Sequence, residues 1–252
     1  SAPTSGERTA RVRDWLATEP SADQMQEVFR ELSHRDRGAA RPVKERLDEI
    51  RRLKTQEQTA VEWTDKARAL LEQSRLNLAD ALAWQRDAAR AGAPLSREPL
   101  ATLRQTLAER VKAIEDLQHR VQVEREAAVL IAQRIEVLST KPWREARQIA
   151  DTLRGDVAQW QQQTQTLTQD PQWLSVEPKF PPMLDASRQQ LQLVWDAFEA
   201  ALAQTVAADA DAQAPLPAVP VWADELRVAR GIEPAAAAEK HAADSQAQQE
   251  RR

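Results

Sequence analysis

The sequence lacks cysteine and tyrosine, and only five of its 252 residues are glycine. Without cysteine the chain has no disulfide bond, no thiolate zinc site and no cysteine nucleophile. Glycine makes up about 2% of the residues, against about 7% in average proteins. Tight turns between strands need residues with positive φ, which glycine supplies most readily. The scarcity of glycine therefore argues against a sheet-rich fold.

The chain also lacks long apolar runs, a large net charge and the common catalytic motifs. No segment approaches the roughly 18 consecutive apolar residues of a membrane span, and the net charge is only −4. We find no P-loop, no GxGxxG, no HExxH and no GxSxG pattern. The three histidines, His34, His119 and His241, are far apart in the sequence. These observations predict a non-enzymatic protein with no catalytic residue, cofactor or metal site.

Amphipathic helical patterns begin near the N-terminus, where residues 7–53 are predicted to form short helices. Ser21 and Gln24 have the spacing of a capping box. An apolar stripe at i, i+3, i+4 and i+7 follows, formed by Met25, Val28, Phe29 and Leu32. Gly38 is the predicted end of this helix, and Pro42 is placed in the first turn of the next.

The most regular pattern in the sequence predicts a coiled coil over residues 100–138. Apolar residues recur there at seven-residue spacing: Leu100, Leu107, Ile114, Val121, Ala128 and Ile135. A preceding helix is predicted to run without a break from Pro42 to Ala91. Because the connection between the two contains glycine and proline, an antiparallel hairpin of one chain is favoured. A parallel homodimer through residues 100–138 is the alternative.

Glu124 and Trp222 are single residues whose positions are unusual. Glu124 occupies a core-like heptad position, where a frayed seam or a water-exposed gap is favoured over a buried carboxylate. Trp222 and Leu226 lie four residues apart, beyond the last predicted core helix. As a short amphipathic motif they dock either onto a partner protein or back onto this chain.

The predicted architecture is all-α and elongated, with a long antiparallel coiled-coil hairpin and a small helical bundle at its base. Changes in composition divide the chain into five predicted segments. These are a linker at 1–6, a HEAT-like short-helix unit at 7–53, the coiled-coil arm at 54–140, a two-helix base at 141–206 and a flexible acidic tail at 207–252. Within the tail, a short helix is predicted at 221–230 and disorder at 233–252.

A basic cluster between Arg30 and Lys54 is the candidate nucleic-acid contact. This segment has nine basic and five acidic residues, a density that is common on helices that contact phosphate. The candidate contacts are Arg37, Arg41, Lys44, Arg46, Arg51 and Arg52. Since the acidic residues are interleaved with the basic ones, a solvated face of ion pairs is the favoured alternative.

Two segments resemble a known family. Ser33-His-Arg-Asp-Arg-Gly-Ala-Ala-Arg-Pro-Val-Lys-Glu-Arg-Leu-Asp-Glu-Ile50 resembles the second half of a HEAT-like repeat. Together with Trp195 and Phe198, which match a Trp-x-x-Phe pattern, it resembles the bacterial domain-of-unknown-function family number 349. This resemblance implies a cytoplasmic, all-helical bacterial protein without an assigned reaction or catalytic residues.

We therefore expect a scaffold or adaptor that binds a protein partner through its coiled-coil arm. Two alternatives stay open: a nucleic-acid- or ribosome-associated factor using residues 30–54, and a periplasmic helical spacer of an envelope assembly. A cytoplasmic location is favoured because the N-terminal residues lack the apolar core of a signal peptide. The periplasmic alternative requires that a signal was removed before Ser1.

Overall fold

The computed structural model describes residues 2–231, which form α-helices joined by turns and loops. The α-helices are α1 (Ser5–Leu16), α2 (Ala22–Arg35), α3 (Arg37–Glu72), α4 (Leu78–Arg90), α5 (Leu100–Leu138), α6 (Trp143–Gln169), α7 (Phe180–Ala210) and α8 (Pro220–Ala229). A 3-10 helix at Pro171–Ser175 precedes α7. No strand occurs in this range, and the predicted all-α fold is confirmed. None of these helices has both the length and the apolarity to cross a bilayer.

The chain divides into two compact units, and the division falls inside α5. The first unit ends at Val111 and the second begins at Lys112. The predicted arm at 54–140 includes residues of both units, so its pairing as an antiparallel hairpin stays a prediction. The other predicted segment boundaries also stay predictions, apart from the helix ends corrected below.

Capping boxes begin the first two helices. The backbone amide of Gln24 donates to the Ser21 hydroxyl (3.2 Å), and the Ser21 amide donates to the Gln24 side chain (3.0 Å), which confirms the predicted box. Thr4 and Glu7 make the same reciprocal pair. Because Thr4 satisfies a free amide of the first turn, α1 begins at Ser5. The predicted linker at 1–6 therefore ends too late, since residues 5 and 6 already belong to α1.

The first three helices share an apolar cluster. The predicted stripe of α2 packs there against α1 and the N-terminal part of α3, around the buried side chains of Val12, Leu16, Met25, Ala39, Val43 and Leu47. The carboxylate of Asp36 ties α1 to the start of α3, since it accepts hydrogen bonds from the Ser5 hydroxyl (2.8 Å) and the Arg8 guanidinium (3.0 Å). These donors lower the pKa of Asp36.

Asp36 also separates α2 from α3. Its backbone is extended (φ −150°, ψ 96°), and its side chain accepts a hydrogen bond from the amide of Ala39 at 3.2 Å. As an N-cap, Asp36 starts the new helix immediately after α2 ends. The predicted helix end at Gly38 and start at Pro42 are wrong, because both residues lie inside α3.

The predicted unbroken helix from Pro42 to Ala91 is also wrong. The chain leaves the helix after Glu72 and re-enters it at Leu78, where the Asn77 side chain accepts a hydrogen bond from the amide of Asp80 (3.0 Å). The guanidinium of Arg110 donates to backbone carbonyls next to the break, those of Leu71 (3.2 Å), Gln73 (3.0 Å) and Ser74 (3.3 Å). Because these donors satisfy carbonyls left free at the end of α3, the helix can stop without glycine or proline.

The second unit is built from the C-terminal part of α5 together with α6 and α7. The predicted heptad stripe of α5 is buried along the whole helix, and its last two members, Ala128 and Ile135, belong to the apolar cluster of this unit. Helix α6 buries one residue at every third or fourth position: Trp143, Ala146, Ala150, Leu153, Val157, Trp160, Thr164 and Leu167. This alternation of three and four is the spacing of a coiled-coil seam.

Polar pairs fix the direction and register of α6 and α7. They join Arg144 to Asp209 (3.3 Å), Arg154 to Glu199 (2.9 Å) and Gln161 to Gln192 (2.6 Å). As the α6 residue number rises, its partner's number falls by the same amount, so the helices are antiparallel in one register. Helix α6 is also antiparallel to α5, because only residues 139–142 connect them and Trp160 bonds to the carbonyl of Glu124 (2.9 Å). Helices α5 and α7 consequently run in the same direction.

The end of the described chain packs onto the second unit. The predicted acidic tail from residue 207 begins too early, since α7 continues to Ala210 with Ala208 buried. The predicted short helix at 221–230 is confirmed by α8 at Pro220–Ala229. The Arg230 guanidinium holds the intervening loop by donating to carbonyls of α7 and the loop (3.0–3.1 Å). The predicted disorder at 233–252 lies outside the described residues.

Candidate interaction surfaces

Five of the six predicted nucleic-acid contacts lie on one face of α3. At 100° per residue, Arg37, Arg41, Lys44, Arg51 and Arg52 fall within an arc of about 100°, and all five are exposed. Arg46 lies about 170° from the centre of this arc. The structure therefore brings five of the candidates together and places Arg46 on another side. We call the five residues the basic face.

Only part of the basic face is paired. Arg52 forms an ion pair with Glu49 (2.7 Å), and Arg51 donates to Gln26 at 3.5 Å. Within the described residues, the other three basic side chains have no carboxylate within 4 Å. Among the carboxylates of this part of α3, only Asp48 lies inside the arc, since Glu45 and Glu49 lie outside its edge. The acidic and basic residues alternate in sequence, but they largely separate around the helix.

Trp222 and Leu226 pack back onto this chain. Their exposed fractions are 0% and 2%, so the described structure does not offer them to a partner. The indole of Trp222 donates to the Lys141 carbonyl (2.9 Å), and its ring contacts the Phe198 ring edge-to-face at 5.7 Å. Of the two predicted docking modes, the intramolecular one is observed.

Glu124 is a buried carboxylate, which corrects the expectation of a gap in the seam. Only 8% of the residue is exposed, and the neighbouring Trp160 indole bonds to its backbone carbonyl rather than to its side chain. Burial raises the pKa of Glu124, and the charge of Arg120 opposes this in part. A lone carboxylate of this kind is a destabilising position, because ionisation is costly where water is excluded.

A groove between α5 and α7 was not predicted from the sequence. Its volume is about 900 Å³, and small or apolar side chains make up about half of its lining, among them Ala128, Val129 and Ala132 on α5 and Met183 and Ala186 on α7. Val129 is 56% exposed. Short side chains on two parallel helices leave this space. The sequence does not indicate that α5 lies beside α7, because this pairing arises from tertiary packing. The alanines in and beside the heptad stripe, Ala128 and Ala132, were its only signal in the sequence.

The ends of this groove carry opposite charges. Arg125 is the first lining residue on α5, Lys179 lines it directly before α7 begins, and Glu136 is the last lining residue on α5. Since α5 and α7 run in the same direction, both cations lie towards one end and the carboxylate lies at the other. Glu136 lies eleven positions after Arg125, which corresponds to about 16 Å of helix.

A smaller groove of about 340 Å³ lies between α3 and α4 in the first unit. The indole of Trp84 donates to the Trp63 carbonyl (3.0 Å), and the two rings meet edge-to-face at 6.5 Å. The Lys66 ammonium stands 4.4 Å from the centre of the Trp63 ring. This ring already has a cation–π partner within the chain, so it is not free to bind an external cation on that face.

No group of three or more histidine, aspartate or glutamate side chains in the described residues is arranged to hold a metal ion. Comparison with protein-family models, curated proteins and solved structures finds no match to this chain. The resemblance to domain-of-unknown-function family number 349 stays a prediction.

Proposed function

We propose that the protein is a non-enzymatic scaffold or adaptor that binds a helix of a partner protein in the α5–α7 groove. The observation that carries this proposal is the groove itself, with its exposed Val129 and the small and apolar side chains that line it. Such a surface suits an amphipathic helix, which buries an apolar stripe in a groove and leaves its polar face in water. The groove lies along α5, the C-terminal helix of the predicted coiled-coil arm.

The charges at the ends of the groove favour one orientation of the bound helix. A helix carries partial positive charge at its N-terminus and partial negative charge at its C-terminus. We therefore expect the partner's C-terminal end beside Arg125 and Lys179, and its N-terminal end beside Glu136. A length of about 16 Å corresponds to about three helical turns, so anchors at i, i+3, i+4 and i+7 fit within it.

Site-specific crosslinking followed by a matched pair of variants tests this proposal. A photoreactive residue at position 129 identifies the partner in the native cell, and its affinity is then measured with purified proteins. Val129→Arg places a charge in the groove, whereas Val137→Arg places it eight residues further along α5, at a valine that is 54% exposed and does not line the groove. We expect the first variant to weaken binding at least tenfold and the second to change it less than twofold. Equal effects of the two variants would contradict the proposal.

We also propose a cytoplasmic location for this scaffold, which the resemblance to domain-of-unknown-function family number 349 implies. Cell fractionation of the native organism, with marker enzymes for cytoplasm and periplasm, measures it directly. Recovery with the cytoplasmic marker agrees with the proposal. Recovery with the periplasmic marker would favour an envelope spacer instead.

A further inference from the structure

The basic face of α3 is held rigidly in place by the helices packed behind it. On the other side of the same helix, Ala39, Val43 and Leu47 are buried in the apolar cluster shared with α1 and α2. The cluster fixes the rotation of α3 about its own axis, so the basic side chains point to solvent together. From Arg37 to Arg52 they extend along about 22 Å of helix.

The residues of α3 in this face carry a net positive charge although the whole chain is acidic. Five cations share the arc with a single carboxylate, Asp48, and the net charge of the chain is −4. Arg37, Arg41 and Lys44 have no ion-pair partner among the described residues, so their charges are available to an external anion. Surface cations that are not neutralised within the chain raise the local concentration of polyanions.

The geometry points to a nucleic-acid duplex as the anion. We propose that the basic face binds the phosphate backbone of a duplex without reading its sequence. A duplex presents phosphates at regular intervals of 3.4 Å along each strand, so a rigid row of cations about 22 Å long spans six to seven base pairs. The guanidinium groups of Arg37, Arg41 and Arg51 match phosphate oxygens with paired N–H donors, whereas Arg52 is already paired with Glu49.

Two double variants on the same helix test this binding. Arg41→Ala with Lys44→Ala removes two cations from the basic face. Arg46→Ala with Lys54→Ala removes two cations from positions outside the arc. Since each double variant loses one arginine and one lysine, both change the net charge of the chain by the same amount. All four residues are exposed, and alanine is the best helix former. Circular dichroism checks that both variants keep their helix content.

The measurement is fluorescence anisotropy with labelled 20-base-pair DNA and RNA duplexes between 50 and 200 mM salt. Each phosphate contact contributes about −0.9 to the slope of log K against log salt concentration for B-form DNA. Loss of two contacts therefore makes the slope shallower by about 1.8. Over this fourfold range of salt, the affinity of the wild-type protein then falls about twelvefold more than that of the Arg41/Lys44 variant. The Arg46/Lys54 variant keeps the wild-type slope.

Three results would overturn the proposal. The first is that the wild-type protein binds neither duplex at 50 mM salt. The second is an equal loss in both variants, which would show that only the net charge of the chain matters. The third is tighter binding to vesicles containing anionic lipid than to either duplex, with the same loss in the Arg41/Lys44 variant, because the face would then be a membrane contact. Both duplexes present a phosphate backbone, so binding to either one supports the proposal. A higher affinity for one of them shows whether the ligand is DNA or RNA.

Discussion

The indole nitrogen of Trp222 donates a hydrogen bond of 2.9 Å to the backbone carbonyl of Lys141, which is 81 residues earlier in the chain. This bond joins α8 to the connection between α5 and α6. In the same place, the amide of Trp143 donates to the Glu225 carboxylate at 2.9 Å. The α8 helix therefore covers one end of the second unit and satisfies free groups at the start of α6.

We expect Trp222→Ala to lower the free energy of unfolding by about 3–5 kcal/mol, because a fully buried indole is removed from the core. Trp222→Phe keeps most of the ring and loses the hydrogen bond, at a cost of about 1–2 kcal/mol. Leu174→Ala is the control, since Leu174 is exposed and its loss changes stability by less than about 0.5 kcal/mol. Urea denaturation followed by circular dichroism measures all three. A Trp222→Ala protein of wild-type stability would show that α8 does not contribute to the core.

Arg230→Ala is expected to open the loop between α7 and α8 to proteolysis. The Arg230 guanidinium donates to the carbonyls of Ala208, Asp211 and Ala214, and each hydrogen bond from a charged group contributes about 1.5–3 kcal/mol. A loss of 1.4 kcal/mol in local opening raises the open population tenfold, and cleavage by elastase rises in proportion. Arg227→Ala is the control, because the ion pair of Arg227 lies within α8. Equal cleavage rates in the two variants would contradict this role of Arg230.

Glu124 is expected to make the protein less stable as the pH rises. Burial raises the folded-state pKa of Glu124 above its unfolded value, so the folded state binds more protons between these two values and stability falls with increasing pH. Glu124→Gln removes the ionisation. We expect this variant to have a higher free energy of unfolding at pH 7, and that free energy to fall less steeply than in the wild-type protein as the pH rises from 4. Glu126→Gln, at an exposed position two residues away, should have no such effect. Urea titrations across pH 4–8 measure the difference.

Two glycines should respond in opposite ways to alanine. Gly155 lies inside α6 with no atom within 4 Å of an added Cβ, so Gly155→Ala is expected to stabilise the protein by about 0.5–1 kcal/mol. Gly92 has φ +73°, where an L side chain is strained, and Gly92→Ala should cost about 1–2 kcal/mol. Thermal unfolding of both variants compares them directly. A shift of the melting temperature in the same direction for both would refute the conformational argument.

The helices with clear apolar periodicity could be predicted from the sequence. The stripe of α2, the heptads of α5 and the short helix α8 all occur as predicted, since each of them buries one face. The break between Glu72 and Leu78 was missed because it contains neither glycine nor proline. Asn77, with its side chain bonded to the amide of Asp80, was a local capping signal that could have revealed the break.

The surfaces were harder to predict than the helices. The basic face follows from helix geometry once Val43 and Leu47 are known to be buried, so the sequence contained enough information to find it. The α5–α7 groove could not be located from the alanines of α5 alone, because its two walls are distant in the chain. Trp222 had two interpretations, and only the packing of α8 against Phe198 and Lys141 distinguishes them.

The seven-residue repeat of α6 has a consequence for how the second unit can change in length. The buried positions of α6 return to the same side after every seven residues, and α6 and α7 hold one register from Arg144 to Gln161. Removal of one heptad from each of α5, α6 and α7 would shorten the bundle by about 10 Å and leave its seam continuous. A deletion of one or two residues in a single helix would instead rotate the buried positions that follow in that helix away from the core. The length of this helical bundle can therefore change in steps of seven residues per helix.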